Sequence, residues 1–147
     1  MIAVVCLDGR NGMLFHDRRL SQDRLQRADL MRLCGKRSLK MSPFSAPLFS
    51  EYQSRICVED NFLDGAERGE LCWVENRELR PYIKALEGIV VYRWNRAYPA
   101  DVHFDIALPG DDFALASTQE FPGSSHEKIT REIYLRRATH GEKPEEN

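Results

Sequence analysis

The sequence predicts an α/β domain whose sheet is parallel at its centre and ends in an antiparallel C-terminal hairpin. Three observations predict it. Apolar runs at 1–7, 71–74 and 88–94 have the unbroken character of strands buried on both faces of a parallel sheet. Segments carrying helix start and stop signals lie between such runs. Near the end, 112–121 and 128–137 partly alternate apolar with polar residues on either side of Pro122-Gly123-Ser124-Ser125, which is turn chemistry. At 147 residues, 42% of them hydrophobic, the chain suits one domain with a substantial core. That domain is assigned to 1–139; residues 140–147 are polar and acidic, the composition of a disordered tail.

Taken in order, the first strand ends at the turn-rich cluster Asp8-Gly9-Arg10-Asn11-Gly12, and a long loop runs to Leu20. Ser21 is the expected cap of a first helix, with Asp23 favourable to its dipole, and Gly35 is the expected stop after Cys34. Residues 38–41 follow as a strand. Ser45 is the expected cap of a short second helix with Pro47 in its first turn, where a missing N–H does no harm. Residues 55–58 form a strand and 60–66 a helical turn ending near Gly69. A third helical segment between 76 and 87 must break at Pro81 or start there. Core positions of the hairpin are Phe113, Leu115, Ile129, Ile133 and Leu135. Trp73 and Trp94 read as core aromatics, and Tyr82 and Tyr92 as packing at strand and helix edges.

Composition excludes several classes of function. No apolar run approaches the roughly 20 residues that span a bilayer, and residues 1–20 lack the pattern of a secretory signal, so a cytoplasmic setting without membrane is expected. Cys6, Cys34, Cys57 and Cys72 have no metal-binding or redox spacing and read as reduced cysteines. His16, His103, His126 and His140 are far apart and form no metal motif. A metallo-β-lactamase-type nuclease of the ribonuclease Z kind is therefore unsupported. His126, beside Ser124 and Ser125, reads as a hairpin-tip residue, with a ligand-facing role as the alternative. Charge is uneven: between Arg10 and Lys40 nine basic residues face three aspartates, a balance of +6 within a net charge of −2. Such a segment could meet phosphates or nucleic acid, but a solvated helix face with local ion pairs is the plainer reading.

A family resemblance rests on four stretches: Ile89-Val-Val-Tyr92 through Ala100-Asp-Val-His-Phe104, then Pro109-Gly-Asp-Asp-Phe113, the closing segment 124–137, and Asn11-Gly12-Met13 after the first strand. Together with Leu39-Lys-Met-Ser42 these resemble the dihydrofolate reductases over nearly the whole chain. The resemblance implies a single-domain mixed sheet with helices on both faces, and hydride transfer from NADPH to a pterin-like ring in a cleft beside the first loop and helix. It implies one carboxyl on that helix, Asp29 by best match and Asp23 as runner-up, to hold the heterocycle. It places Arg18, Arg19, Ser21, Arg24 and Phe49 on the substrate side, and Asn11, Gly12, Ser42, Ser45, Glu75 and Asn76 on the cofactor side.

The chain departs from that family where the cofactor would sit. Val74-Glu75-Asn76 replaces a glycine pair, so side chains obstruct pyrophosphate and Glu75 repels it. Ser42-Pro43-Phe44-Ser45 replaces an arginine-bearing helix start, and the chain between there and Trp73 is short. Arg18-Arg19-Leu20-Ser21 stands in place of the family's substrate lip and suits a small anion better than a neutral ring. The expected function is a non-catalytic relative that keeps the fold and binds a small anionic ligand in that cleft or serves as an oligomerisation module, with a homodimer as an open state. The alternatives are an NADPH-dependent pterin reductase and, least favoured, nucleic-acid binding through 10–40.

Overall fold

The computed structural model describes residues 1–138; the expected tail lies outside them. Ten strands and one α-helix follow in order: β1 (Ile2–Leu7), β2 (Gly12–Phe15), β3 (Arg18–Arg19), α1 (Arg24–Cys34), β4 (Leu39–Met41), β5 (Ile56–Val58), β6 (Leu71–Trp73), β7 (Gly88–Arg93), β8 (Val102–His103), β9 (Phe113–Phe121) and β10 (Ile129–Arg136). Seven strands form one mixed sheet in the order β5-β4-β6-β1-β7-β10-β9. The five from β5 to β7 are parallel, and β10 and β9 close the sheet antiparallel, as the sequence predicts.

Two-residue periodicity separates the core into layers. Along β1, Ala3, Val5 and Leu7 face one side and Val4 the other, and both sides are buried. On the Val4 side, α1 lays down Leu30, Met31 and Cys34 beside Phe49. On the opposite side, Phe62, Leu63, Leu79 and Leu86 are joined by Tyr82 and Ile83, so helical elements cover both faces. Burial pushes the Cys34 thiol up and that of Cys72 to about 11, which keeps both neutral and unreactive.

Local chemistry explains where the elements differ from expectation. The loop after β1 contains a small hairpin, because His16 and Asp17 both take positive φ (51° and 62°) and link β2 to β3 without a glycine. The α1 cap is Asp23 rather than Ser21: its carboxylate accepts from the backbone N–H of Leu25 (2.9 Å) and Gln26 (3.1 Å). Gly35, at φ 62°, ends the helix as expected. The second and third helices are 3₁₀ segments, Ala46–Arg55 and Arg80–Ala85. The first is interrupted at Phe49 and Tyr52 and receives no side-chain cap from Ser45; the second has Pro81 in its first turn, one of the two arrangements expected. In the hairpin, Phe113 and Ile129 are fully buried, but Leu115 and Leu135 are 49% and 51% exposed. They lie near the sheet's edge, where an irregularity between Ile133 and Tyr134 shifts the pairing.

Candidate ligand cleft

The parallel strands β6, β1 and β7 end side by side, and the first turns of α1 lie against that end. In α/β sheets this is where ligands bind, because chain connections diverge there and leave a crevice. The crevice is lined by Cys6 and Trp73 of the strands, Val74, Glu75 and Trp94 just beyond them, Gln26 of α1, and Arg19 and Ser21 of the preceding segment. Its open volume is about 340 Å³, but the free space within it is about 20 Å³, room for one water-sized group.

An ion pair bounds the cleft. Arg19 Nε and Nη2 donate to the two oxygens of Glu75, each at 2.8 Å, and Ser45 Oγ donates to Glu75 Oε2 at 2.6 Å. The hydrogen bonds to Glu75 raise the Arg19 pKa, so the guanidinium is a permanent cation. Two further side chains that line the cleft carry buried donors with no hydrogen-bond partner in the protein, Gln26 Nε2 and Trp73 Nε1. Each unmatched N–H disfavours the folded state by about 1–3 kcal/mol, so both suit an oxygen acceptor. Burial pushes the Cys6 thiol far up, leaving it a neutral wall rather than a nucleophile.

Beside the cleft, the β9–β10 tip clamps the start of α1. Asp23 Oδ1 accepts from the backbone N–H of Ser124 at 3.0 Å, and Asp23 Oδ2 from that of Ser125 at 2.8 Å; both serine hydroxyls also donate to the carboxylate. His126 Nδ1 lies 2.9 Å from Asp23 Oδ2, while His126 Nε2 lies 2.9 Å from Ser21 Oγ and 3.4 Å from Tyr98 Oη. The imidazole stacks on Trp94 at 4.5 Å. Burial alone would raise the Asp23 pKa, but the His126 and backbone hydrogen bonds outweigh it and hold the carboxyl well below its usual range. Gly123 leaves room for this clamp: a Cβ there would sit 2.5 Å from Asp23 Oδ2 and 2.8 Å from Ile129 Cδ1. Gly123→Ala is therefore expected to lose about 1–3 kcal/mol, read from its urea midpoint.

The residues expected from sequence are only partly brought together. Arg19 and Ser21 line the cleft, as does Glu75. Ser45 reaches it through Glu75. Arg18 and Arg24 are exposed, and Phe49 is fully buried against Trp73 at 5.0 Å, a core contact rather than a lining one. Asp29 does not line the cleft; it faces β7 and β10, where Arg131 and Tyr92 bind it. Asp23, buried and saturated with donors, has its oxygens committed to the clamp. Sequence reading does not mark Gln26 or Trp73 as site residues, and it gives His126 a ligand-facing role only as the alternative to a hairpin-tip one. No side-chain pattern marks Gln26, since a polar residue in a first helical turn ordinarily faces water.

The cofactor-side set does not fit a dinucleotide. Ser42 Oγ donates to Asn76 Oδ1, Asn11 Oδ1 accepts from Arg93, and the Gly12 N–H is held by Asp8 Oδ1 at 2.7 Å. A Cβ at Gly12 would meet Ala100 at 2.7 Å, so that glycine serves local packing. Glu75 is a buried carboxylate already bonded to Arg19 and Ser45, and it offers a phosphate no donor. The basic segment is also divided: Arg19, Arg27 and Lys40 pair with Glu75, Glu51 and Glu70, Arg32 with Asp29, and Arg37 donates to the Cys34 and Leu33 carbonyls. Among the described residues, no three metal-ligating side chains converge and no helix is long and apolar enough to cross a membrane.

The chain has the dihydrofolate reductase-like fold. It is similar to a solved dihydrofolate reductase from Enterococcus faecalis, in complex with NADP(H) and RAB-propyl, with a TM-score of 0.66 over 92% of this chain and 95% of that one. Identity is 9%, so the likeness is one of fold. No family model and no curated protein matches by sequence.

Proposed function

We propose that this protein uses a dihydrofolate reductase-like scaffold to bind a small anionic molecule through a carboxylate or carbonyl group, and that it is not a pterin reductase. The observation that supports this reading is the pair of buried, unpartnered donors, Gln26 Nε2 and Trp73 Nε1, on side chains that line the cleft together with Arg19. A free space of about 20 Å³ takes one small acceptor group and leaves the rest of the ligand at the mouth. A bicyclic ring does not fit without opening the cleft. The Glu75 carboxylate competes with such a ligand for Arg19, so occupancy is set by exchange between an internal and an external anion.

The test is a fluorescence titration, since Trp73 and Trp94 both line the cleft. Acetate and benzoate are expected to quench saturably, whereas NADPH and dihydrofolate leave the signal unchanged to millimolar concentration. Glu75→Gln frees Arg19 and is expected to tighten benzoate about tenfold, roughly 1.4 kcal/mol. Saturable micromolar binding of NADPH would restore the reductase reading; silence toward the carboxylates in both wild type and Glu75→Gln would overturn this one.

A further inference from the structure

We infer that Ser21, His126 and Asp23 form an acyl-transfer site, in which Ser21 Oγ is a nucleophile toward small carboxylic esters that enter the cleft. The inference rests on the reading of that cleft as a ligand site. Three residues, two from the start of α1 and one from the distant β9–β10 tip, lie in the order such chemistry requires. Ser21 Oγ is 2.9 Å from His126 Nε2, and His126 Nδ1 is 2.9 Å from Asp23 Oδ2.

The contacts fix the roles. Asp23 accepts four backbone N–H bonds, from Leu25, Gln26, Ser124 and Ser125, so it remains a carboxylate acceptor and the Nδ1 facing it carries the proton. In the neutral imidazole that leaves the lone pair on Nε2, 2.9 Å from Ser21 Oγ. Tyr98 Oη, at 3.4 Å, is the more distant donor to the same nitrogen. The His126 side chain is 3% exposed and held by its stack on Trp94, so its orientation is set before substrate arrives. Ser21 is half-buried and lines the cleft. The same cleft is lined by Gln26, a 1% exposed residue whose Nε2 has no partner. It is a donor suited to a developing oxyanion, and Trp73 Nε1 is a second.

The chemistry balances with water as the second reactant. Ser21 Oγ adds to the ester carbonyl carbon as its proton passes to His126 Nε2, and the carbonyl electrons move onto oxygen. Collapse of this adduct breaks the bond to the alcohol oxygen, which takes the proton from Nε2 and leaves acyl-Ser21. Water then adds to the acyl carbon, giving its proton to Nε2; collapse returns that proton to Ser21 Oγ and releases the carboxylic acid.

The experiment exposes the full chain to p-nitrophenyl acetate, following p-nitrophenolate release and mapping acetyl groups by peptide mass spectrometry. The expected result is acetylation at Ser21, lost in Ser21→Ala and at least about 100-fold slower in His126→Gln. Asp23 acts through His126 and is a positioning residue. Asp23→Asn retains a cap acceptor and is expected to lower kcat about 100-fold or more per folded molecule, the folded fraction being counted by tryptophan fluorescence, because unfolding alone would lower apparent kcat at unchanged KM in the same way. Acetyl groups on lysines alone, with Ser21 unmodified in folded wild type, would overturn the proposal without recourse to any variant. Benzoate quenching of wild-type fluorescence separates the two failures: quenching without acetylation removes the nucleophile and keeps the cleft, and neither removes both.

Discussion

Asp23→Ala is expected to lower stability by about 4–5 kcal/mol, a large part of the roughly 5–15 kcal/mol that holds a domain of this size folded. One carboxylate caps α1 through Leu25 and Gln26 and ties the β9–β10 tip to it through Ser124, Ser125 and His126. Loss of a helix cap accounts for about 1–2 kcal/mol. The rest comes from buried donors, among them the His126 ring N–H, left without an acceptor at about 1–3 kcal/mol each and partly relieved by relaxation. Thermal unfolding should fall by roughly 10–15 °C. The sign of the pH dependence follows from the depressed Asp23 pKa. Its contribution is fully present above the unfolded value of about 4 and is lost as pH falls toward the folded value, because the unfolded chain then binds the extra proton. Asp23→Ala should therefore flatten the acid limb of the stability curve. Asp8, Glu70 and Glu87, also depressed, retain part of the slope. A variant within about 0.5 kcal/mol of wild type would show that the hairpin tip is held from elsewhere.

The sheet was legible because strand burial writes itself into runs such as Gly88-Ile-Val-Val-Tyr92, where no competing reading fits. The β9–β10 pairing was legible from Pro122-Gly123 for the same local reason. What failed depended on partners far along the chain. Ser21 and Asp23 are both good caps, and the choice went to Asp23 because the hairpin tip, some 100 residues later, brings it five more donors. Arg19 and Glu75 were both recognised, but as a substrate residue and an obstruction; that they bind one another is a consequence of strand order. His126 looked like a turn residue because its neighbours are turn formers, and its burial is invisible until α1 is placed against it. The exposed Leu115 and Leu135 were assigned inward because alternation reports which face a residue takes, not whether anything covers that face.

Asp29→Ala is the second large effect, and it separates the two roles open to that residue. Asp29 lies on α1 with both oxygens accepting from Arg131 Nη1, at 2.8 and 2.7 Å, and one from Tyr92 Oη at 2.7 Å. Burial, with the Asp29 charge and hydrogen bond, pushes the Tyr92 phenol far up, so it stays a donor; for Arg131, the bond to Asp29 outweighs burial and keeps the cation. Truncation leaves a mostly buried guanidinium and a buried hydroxyl without their acceptor, which lowers stability by about 3–5 kcal/mol. Asp29→Asn keeps one acceptor oxygen for Tyr92 and should lose less, about 2–3 kcal/mol. Both should bind benzoate as wild type does, since Asp29 does not line the cleft. A carboxyl held for catalysis behaves in the opposite way, because a group kept poised for substrate contributes little to folding, or opposes it, and its removal is felt in binding. Unchanged urea midpoints with benzoate binding abolished would thus return Asp29 to the site that the family resemblance assigns it. A large loss of stability with binding intact fixes it as the bolt between α1 and the antiparallel edge of the sheet.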